Sequence, residues 1–122
     1  MKVLLGIGGT DDSLDALEKT IARAKEAGDD LTVAVLENPE SDRTPEEVEA
    51  AVEAAFDAAD FEATVRHLSG DPGSSLVELA EREEFEQIAL GGGERSPMGK
   101  IRLGPVSEFV LLNSHVSVKL VR

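Results

Sequence analysis

The residues best placed to do chemistry in this chain lie in two glycine-rich stretches. One is Gly8-Gly9-Thr10 near its start. The other is Gly91-Gly92-Gly93-Glu94-Arg95-Ser96-Pro97-Met98-Gly99-Lys100 toward its end. The chemistry they suit is the holding of an anion. Glycine lets the backbone approach a ligand, and a helix start adds unpaired N–H groups and a favourable dipole. Arg95, Ser96 and Lys100 supply cationic and hydroxyl donors within the second stretch. Each feature also has a plainer reading. Three glycines in a row suit a tight turn with positive φ. Thr10 suits a helix cap, and Arg95, Lys100 and Arg102 suit the balancing of a very acidic surface.

Catalytic patterns are missing from the sequence. Gly99-Lys100 is followed by Ile101 rather than by a hydroxyl residue, so the phosphate loop of the Walker type is excluded. No Ser–His–Asp order or paired-carboxylate pocket stands out. His67 and His115 have no neighbours at metal-ligand spacing and read as surface or packing residues. Cysteine is absent, which removes disulfides, thiolate metal sites and cysteine nucleophiles. Tyr and Trp are absent too, which argues against an aromatic platform for single-stranded nucleic acid.

Charge narrows the partners further. The chain of 122 residues carries a net charge of −13, unevenly spread. Residues 1–94 hold 24 acids and 7 bases, whereas residues 95–122 hold Glu108 against Arg95, Lys100, Arg102, Lys119 and Arg122. Such a surface repels a duplex or an anionic membrane, so neither nucleic acid nor membrane is expected as a partner. Acidic faces with few lysines suit a halophilic setting, where counterions screen self-repulsion. The opening apolar run is too short for the core of a signal peptide, and no stretch is long enough to span a bilayer. The expected location is the cytoplasm.

The elements that must position the glycines alternate between strand and helix, within one domain spanning residues 1–122. Val3 to Ile7 is a buried strand. Leu14, Leu17, Ile21 and Ala24 recur at helical spacing and end at Gly28, a C-cap signal. Leu31 to Leu36 is a second strand. Thr44-Pro45-Glu46-Glu47 opens a helix through a cap, a first-turn proline and a capping box, with Val48, Val52, Ala55, Phe56 and Ala59 inward. Phe61 to Leu68 alternates like an edge strand. Asp71-Pro72 opens a third helix with Leu76, Leu79 and Ala80 inward, and Gln87 to Leu90 is a fourth strand. Val106, Phe109 and Val110 mark a last helix, and Val116 to Val121 a last strand. Strands alternating with helices imply right-handed βαβ units and a five-stranded, doubly wound α/β parallel sheet. In such a sheet a ligand sits at the carboxyl ends of the strands, where the strand order reverses.

This arrangement resembles the universal stress protein family along nearly the whole chain. The likeness rests on the turn Gly8-Gly9-Thr10, on Gly70-Asp71-Pro72, on the glycine motif from Gly91 to Gly104 and on the close Val116-Ser117-Val118-Lys119-Leu120-Val121. It implies strand order 3-2-1-4-5, a stress-response binding module without robust chemistry, and a homodimer. In one branch it also implies ATP between the two glycine loops. Three positions depart from the ATP-binding pattern. The family's first-strand Asp is Gly8 here, which removes a carboxylate able to hold magnesium or a ribose hydroxyl. The motif's middle glycine is Glu94, a negative charge facing a ligand that carries several. The hydroxyl residue after the last glycine is Pro105, which lacks both the hydroxyl and a backbone N–H.

The expected site is therefore degenerate for ATP, taking a small anion or another nucleotide, and no cofactor is fixed. Its candidate contacts are Gly8, Gly9, Thr10, Val35, Gly91, Gly92, Gly93, Arg95, Ser96, Gly104 and Val106, with no catalytic or metal residue assigned. The alternative is a nucleotide-binding sensor with weak hydrolysis at most, using Arg95, Ser96 and Lys100 on the phosphates. The homodimer is expected through the last strand, where Val116, Val118 and Leu120 alternate with Ser117 and Lys119.

Overall fold

The computed structural model describes residues 1–38, 41–91, 94–95, 101–102 and 104–121, with the backbone alone for 94–95 and 101–102. In chain order the elements are β1 (Lys2–Ile7), α1 (Asp11–Ala27), β2 (Asp30–Leu36), α2 (Pro45–Ala59), β3 (Thr64–Leu68) and α3 (Pro72–Arg82). They continue with β4 (Gln87–Gly91), β5 (Glu94–Arg95), β6 (Ile101–Arg102), α4 (Pro105–Asn113) and β7 (Ser117–Val121). Five strands form one parallel sheet in the order β3-β2-β1-β4-β7. Counting only the strands of that sheet, this is the order 3-2-1-4-5.

The central strands explain the apolar runs. Val3 to Ile7 of β1 and Leu31 to Leu36 of β2 are buried throughout, as strands covered on both faces must be. Alternate side chains feed two cores. On one face Val3, Leu5, Ile7, Val33 and Val35 pack with Leu17, Ile21 and Ala24 of α1 and Val48, Val52 and Phe56 of α2. On the other, Leu4, Ala34, Ile88 and Leu90 pack with Leu76, Leu79 and Ala80 of α3 and Val110 of α4. Together these carry about 25 cal/mol of stabilisation for every Å² of apolar surface removed from water.

The helix starts are built as their sequences dictate. Thr44 accepts from Glu47 N–H at 3.1 Å while the Glu47 carboxylate accepts from Thr44 N–H at 3.1 Å, a complete capping box. Asp71 accepts from Ser74 N–H at 2.9 Å at the start of α3. Gly28 closes α1 at φ +73, in the left-handed region that favours glycine.

Two details differ from the sequence reading. β3 starts at Thr64 rather than Phe61, because α2 ends on Asp60 at φ +50 and the chain turns Phe61 back against Phe56, their rings 6.2 Å apart. The long glycine stretch also contains a short antiparallel ladder. Glu94 stands opposite Arg102 and Arg95 opposite Ile101, which ties together the two ends of the excursion from β4 to α4.

Candidate functional site

β1 is the pivot of the sheet. It pairs with β2 on one side and β4 on the other, and the chain leaves β1 for α1 on one face. After β4 the next helix, α4, lies on the opposite face. A crevice therefore opens between the carboxyl ends of β1 and β4, the place where doubly wound sheets hold ligands.

Gly8-Gly9-Thr10 and Gly91, the first described residue of the second glycine stretch, both lie at this crevice. Gly91 ends β4 one residue beyond the pairing of Gly6 with Leu90. A β-carbon on Gly91 would lie 3.5 Å from the Asp12 carbonyl oxygen and 3.6 Å from Ser13 Cα. The second bend thus leaves β4 against the first turn of α1, beside Gly8-Gly9-Thr10.

The first bend is already filled from inside. Thr10 caps α1, its hydroxyl accepting from Ser13 N–H at 3.2 Å. The Ser13 hydroxyl accepts from Gly9 N–H at 3.1 Å and donates to the Thr10 carbonyl at 2.8 Å. Asn38 donates through Nδ2 to the Gly8 carbonyl at 3.3 Å. Arg43 donates through Nη1 to the Gly9 carbonyl at 2.7 Å and through Nη2 to Asp11 at 2.9 Å.

Sterics explain both glycines. A β-carbon at Gly8 would stand 2.9 Å from Asn38 Nδ2 and 3.2 Å from Asn38 Cβ. At Gly9, where φ is +87, it would stand 2.6 Å from Val48 Cγ2 and 2.8 Å from Ser41 Oγ. These two positions are glycine because Asn38 and Ser41, which follow β2, and Val48 in the first turn of α2 pack directly on them.

Chemically, the arrangement offers few donors to an anion. A helix start leaves its first N–H groups without intrahelical partners. Here Leu14 N–H opens the helical ladder on the Thr10 carbonyl and Ser13 N–H bonds to the cap, which leaves those of Thr10, Asp11 and Asp12 without a partner among the described residues. Asp11 and Asp12 carry exposed carboxylates. A unit charge about 4 Å from a carboxylate meets about 1 kcal/mol of repulsion in water and about 4 kcal/mol at an effective dielectric of ~20. The penalty multiplies with the charge on the ligand.

The remaining candidates are distributed as follows. Val35 sits opposite Ile7 and is 2% exposed in the α1-side core. Gly104 is the N-cap of α4, exposed and without a side-chain cap, and Val106 packs into the α3–α4 core. Arg95 lies in β5, described only in its backbone, while Gly92, Gly93, Ser96 and Lys100 lie outside the described residues. Sequence reading missed Asn38, Ser41, Arg43 and Ser13. The available signal was that Asn38 to Arg43 follows the neighbouring strand at the same end of the sheet. Among the described residues, no group of three or more His, Asp or Glu side chains could hold a metal ion. No described helix is long and apolar enough to cross a membrane.

Comparison with known proteins decides the family. The model of the universal stress protein family matches residues 1–122. The chain belongs to that family. A universal stress protein of Methanocaldococcus jannaschii is 34% identical over 55 residues, 45% of this chain, and the match spans about a third of that relative's length (32%). A universal stress protein solved in complex with cAMP is 26% identical, with a TM-score of 0.74, covering 100% of this chain and 96% of that one. The universal stress protein of Archaeoglobus fulgidus solved with dAMP shares the fold at 18% identity and a TM-score of 0.67, covering 100% and 98% of the two chains. Nucleotide binding thus occurs among universal stress proteins of this architecture.

Proposed function

We propose that this universal stress protein is a stress-response binding module whose crevice takes a nucleotide bearing one phosphate, or a small anion, and is degenerate for ATP. One observation carries the reading. Gly91 abuts the first turn of α1, beside Gly8-Gly9-Thr10, yet the Gly9 N–H is held by Ser13 and two carboxylates stand at that turn. A ligand with a single phosphate meets the remaining N–H groups at the smallest electrostatic cost. The relatives solved with cAMP and dAMP support this choice. Glu94 and Pro105 support the degeneracy, since one adds negative charge to the motif and the other withholds an N–H from the start of α4.

Calorimetric titration at molar potassium chloride tests it, with AMP, cAMP and magnesium ATP in separate cells. A monophosphate binding at least about tenfold tighter than magnesium ATP, a difference of about 1.4 kcal/mol, supports the reading. Submillimolar affinity for magnesium ATP overturns it, and release of phosphate in the same cell replaces it with the hydrolysing sensor.

We also propose a homodimer through β7, in a cytoplasmic and salt-rich setting. Among the described residues β7 pairs only with β4, which leaves its other backbone edge open, and neighbouring α4 exposes Phe109, Leu111 and Leu112. Val116, Val118 and Leu120 are half-buried against the α3–α4 core, so a charged residue at Val118 would disturb the fold as well as any dimer. Leu112→Glu is the cleaner probe, because Leu112 is 76% exposed. Light scattering at high salt that finds only a 13.0 kDa species removes the dimer.

A further inference from the structure

Away from the crevice, a cavity of about 100 Å³ lies between the second half of α1 and the strands β1, β4 and β7. Its origin is geometric. α1 packs over β1 and β4, and among the described residues no helix of its own covers the α1-side face of the edge strand β7, where Lys119 and Val121 stand. Lys19, Arg23 and Thr20 line the cavity from the helix, Lys119 from β7 and Gln87 from β4.

The charges around it are unusual for this molecule. Of the basic side chains the structure describes, Lys2, Lys25, Arg43, Arg66 and Arg82 each have a hydrogen-bond or ion-pair partner. Lys19, Arg23 and Lys119 have none among the described residues, and all three line this cavity. In a chain with 25 acids and 12 bases, cations left together without a partner are the exception. Lys19 and Arg23 also stand one helical turn apart, where like charges repel. The lining acid, Asp29, lies 3.3 Å from the amino group of Met1.

A second observation is independent of charge. Thr20 is 8% exposed, and its hydroxyl is buried without a hydrogen-bond partner. An unpaired buried polar group costs about 1–3 kcal/mol, so such groups are normally satisfied.

We propose that this cavity binds a small oxyanion, held by Lys19, Arg23 and Lys119 with the Thr20 hydroxyl and the Gln87 amide as neutral donors. Size sets the class. Nucleotide-sized ligands occupy pockets of about 300–1,000 Å³, whereas this volume holds a few waters or one tetrahedral or carboxylate anion. The site is separate from the crevice and does not depend on the nucleotide reading.

The test is a titration of ¹⁵N-labelled protein with sodium phosphate, sodium sulfate and sodium succinate, each at ionic strength matched with chloride. The expected result is saturable shifts at Thr20, Arg23, Gln87 and Lys119, with a midpoint of about 1–10 mM. The tightest of the three anions names the source, inorganic or carboxylate. The variant carrying Arg23→Gln and Lys119→Gln, both exposed residues, should bind at least about tenfold more weakly (about 1.4 kcal/mol). Thr20→Val should weaken binding by a smaller factor. Absence of saturable shifts with every anion overturns the proposal. So does equal binding by the double variant, and so do shifts confined to Gly8–Ser13, which would place the anion in the crevice.

Discussion

The two halves of α1 resolve their polar groups in opposite ways. In the first turn much of what could greet an anion has a partner from within the chain, leaving the N–H groups of Asp11 and Asp12 beside their own carboxylates. Thr10 serves Ser13, Ser13 serves Gly9, and Arg43 holds both the Gly9 carbonyl and Asp11. One to three turns later, Lys19, Arg23 and the Thr20 hydroxyl have no partner among the described residues. A glycine-rich bend beside a helix start is therefore not in itself a vacant anion site. Internal partners can take up much of its donor capacity, whereas unmatched charge in an acidic chain points to a ligand.

Breaking the first half should have the largest effect. Gly9→Ala forces a β-carbon into a left-handed backbone at φ +87 and against Val48 and Ser41. Backbone strain and overpacking together should cost about 3 kcal/mol or more. Chemical denaturation at constant salt measures it. A loss under about 1 kcal/mol would show that the chain from Asn38 to Val48 yields easily and that the bend is less rigid than its contacts indicate.

How much of this was visible in the sequence depends on how local the cause is. The stripe Leu14, Leu17, Ile21 and Ala24, the capping box at Thr44 and the glycine stop at Gly28 are local patterns, and the structure forms each of them. The parallel sheet followed from strand-helix alternation, and its strand order from the family likeness. The seal over Gly8 and Gly9 was not legible, because Asn38 and Arg43 reach back across 30 or more residues to main-chain carbonyls. Thr10 was readable as a cap or as a ligand contact, and only the Ser13 hydrogen bond assigns it the cap. The cavity was less legible still. It depends on Lys119 arriving, through parallel pairing of β7 with β4, beside two cations of α1 a hundred positions earlier.

A medium effect is expected where the seal meets solvent. Arg43→Ala removes hydrogen bonds to a carbonyl and to a carboxylate. Arg43 is only about a third exposed, but Asp11 is 91% exposed, which discounts the ion pair. The stability loss should be about 1 kcal/mol. The variant also leaves the carboxylate of Asp11 without its cation beside the crevice, so AMP should bind several-fold more weakly. Unchanged AMP affinity together with lowered stability would confine Arg43 to structure.

On the other half, Thr20→Val replaces an unsatisfied hydroxyl by a methyl of similar shape. Without added anion, the stability should stay level or rise by up to about 1 kcal/mol. A clear loss would mean that the hydroxyl is satisfied in solution, and the contrast between the two halves of α1 would soften.

The smallest effect concerns a third helix start where no ligand is at issue. Asp71 caps α3, and its carboxyl is held below the ordinary value of 3.8 chiefly by the backbone N–H of Ser74, then by the Ser74 side chain, with desolvation opposing. The folded chain thus favours the ionised form more than the unfolded chain does. The contribution to stability is complete above the ordinary carboxylate range and disappears as pH falls through the folded value. Asp71→Asn keeps a good cap but cannot titrate. Denaturation midpoints followed from about pH 5 down to about pH 2 should therefore fall less steeply in Asp71→Asn than in the parent chain. Asp71→Ala should be weaker across that whole range. Parallel acid slopes for the parent and Asp71→Asn would mean that the Ser74 hydrogen bond does not persist in solution.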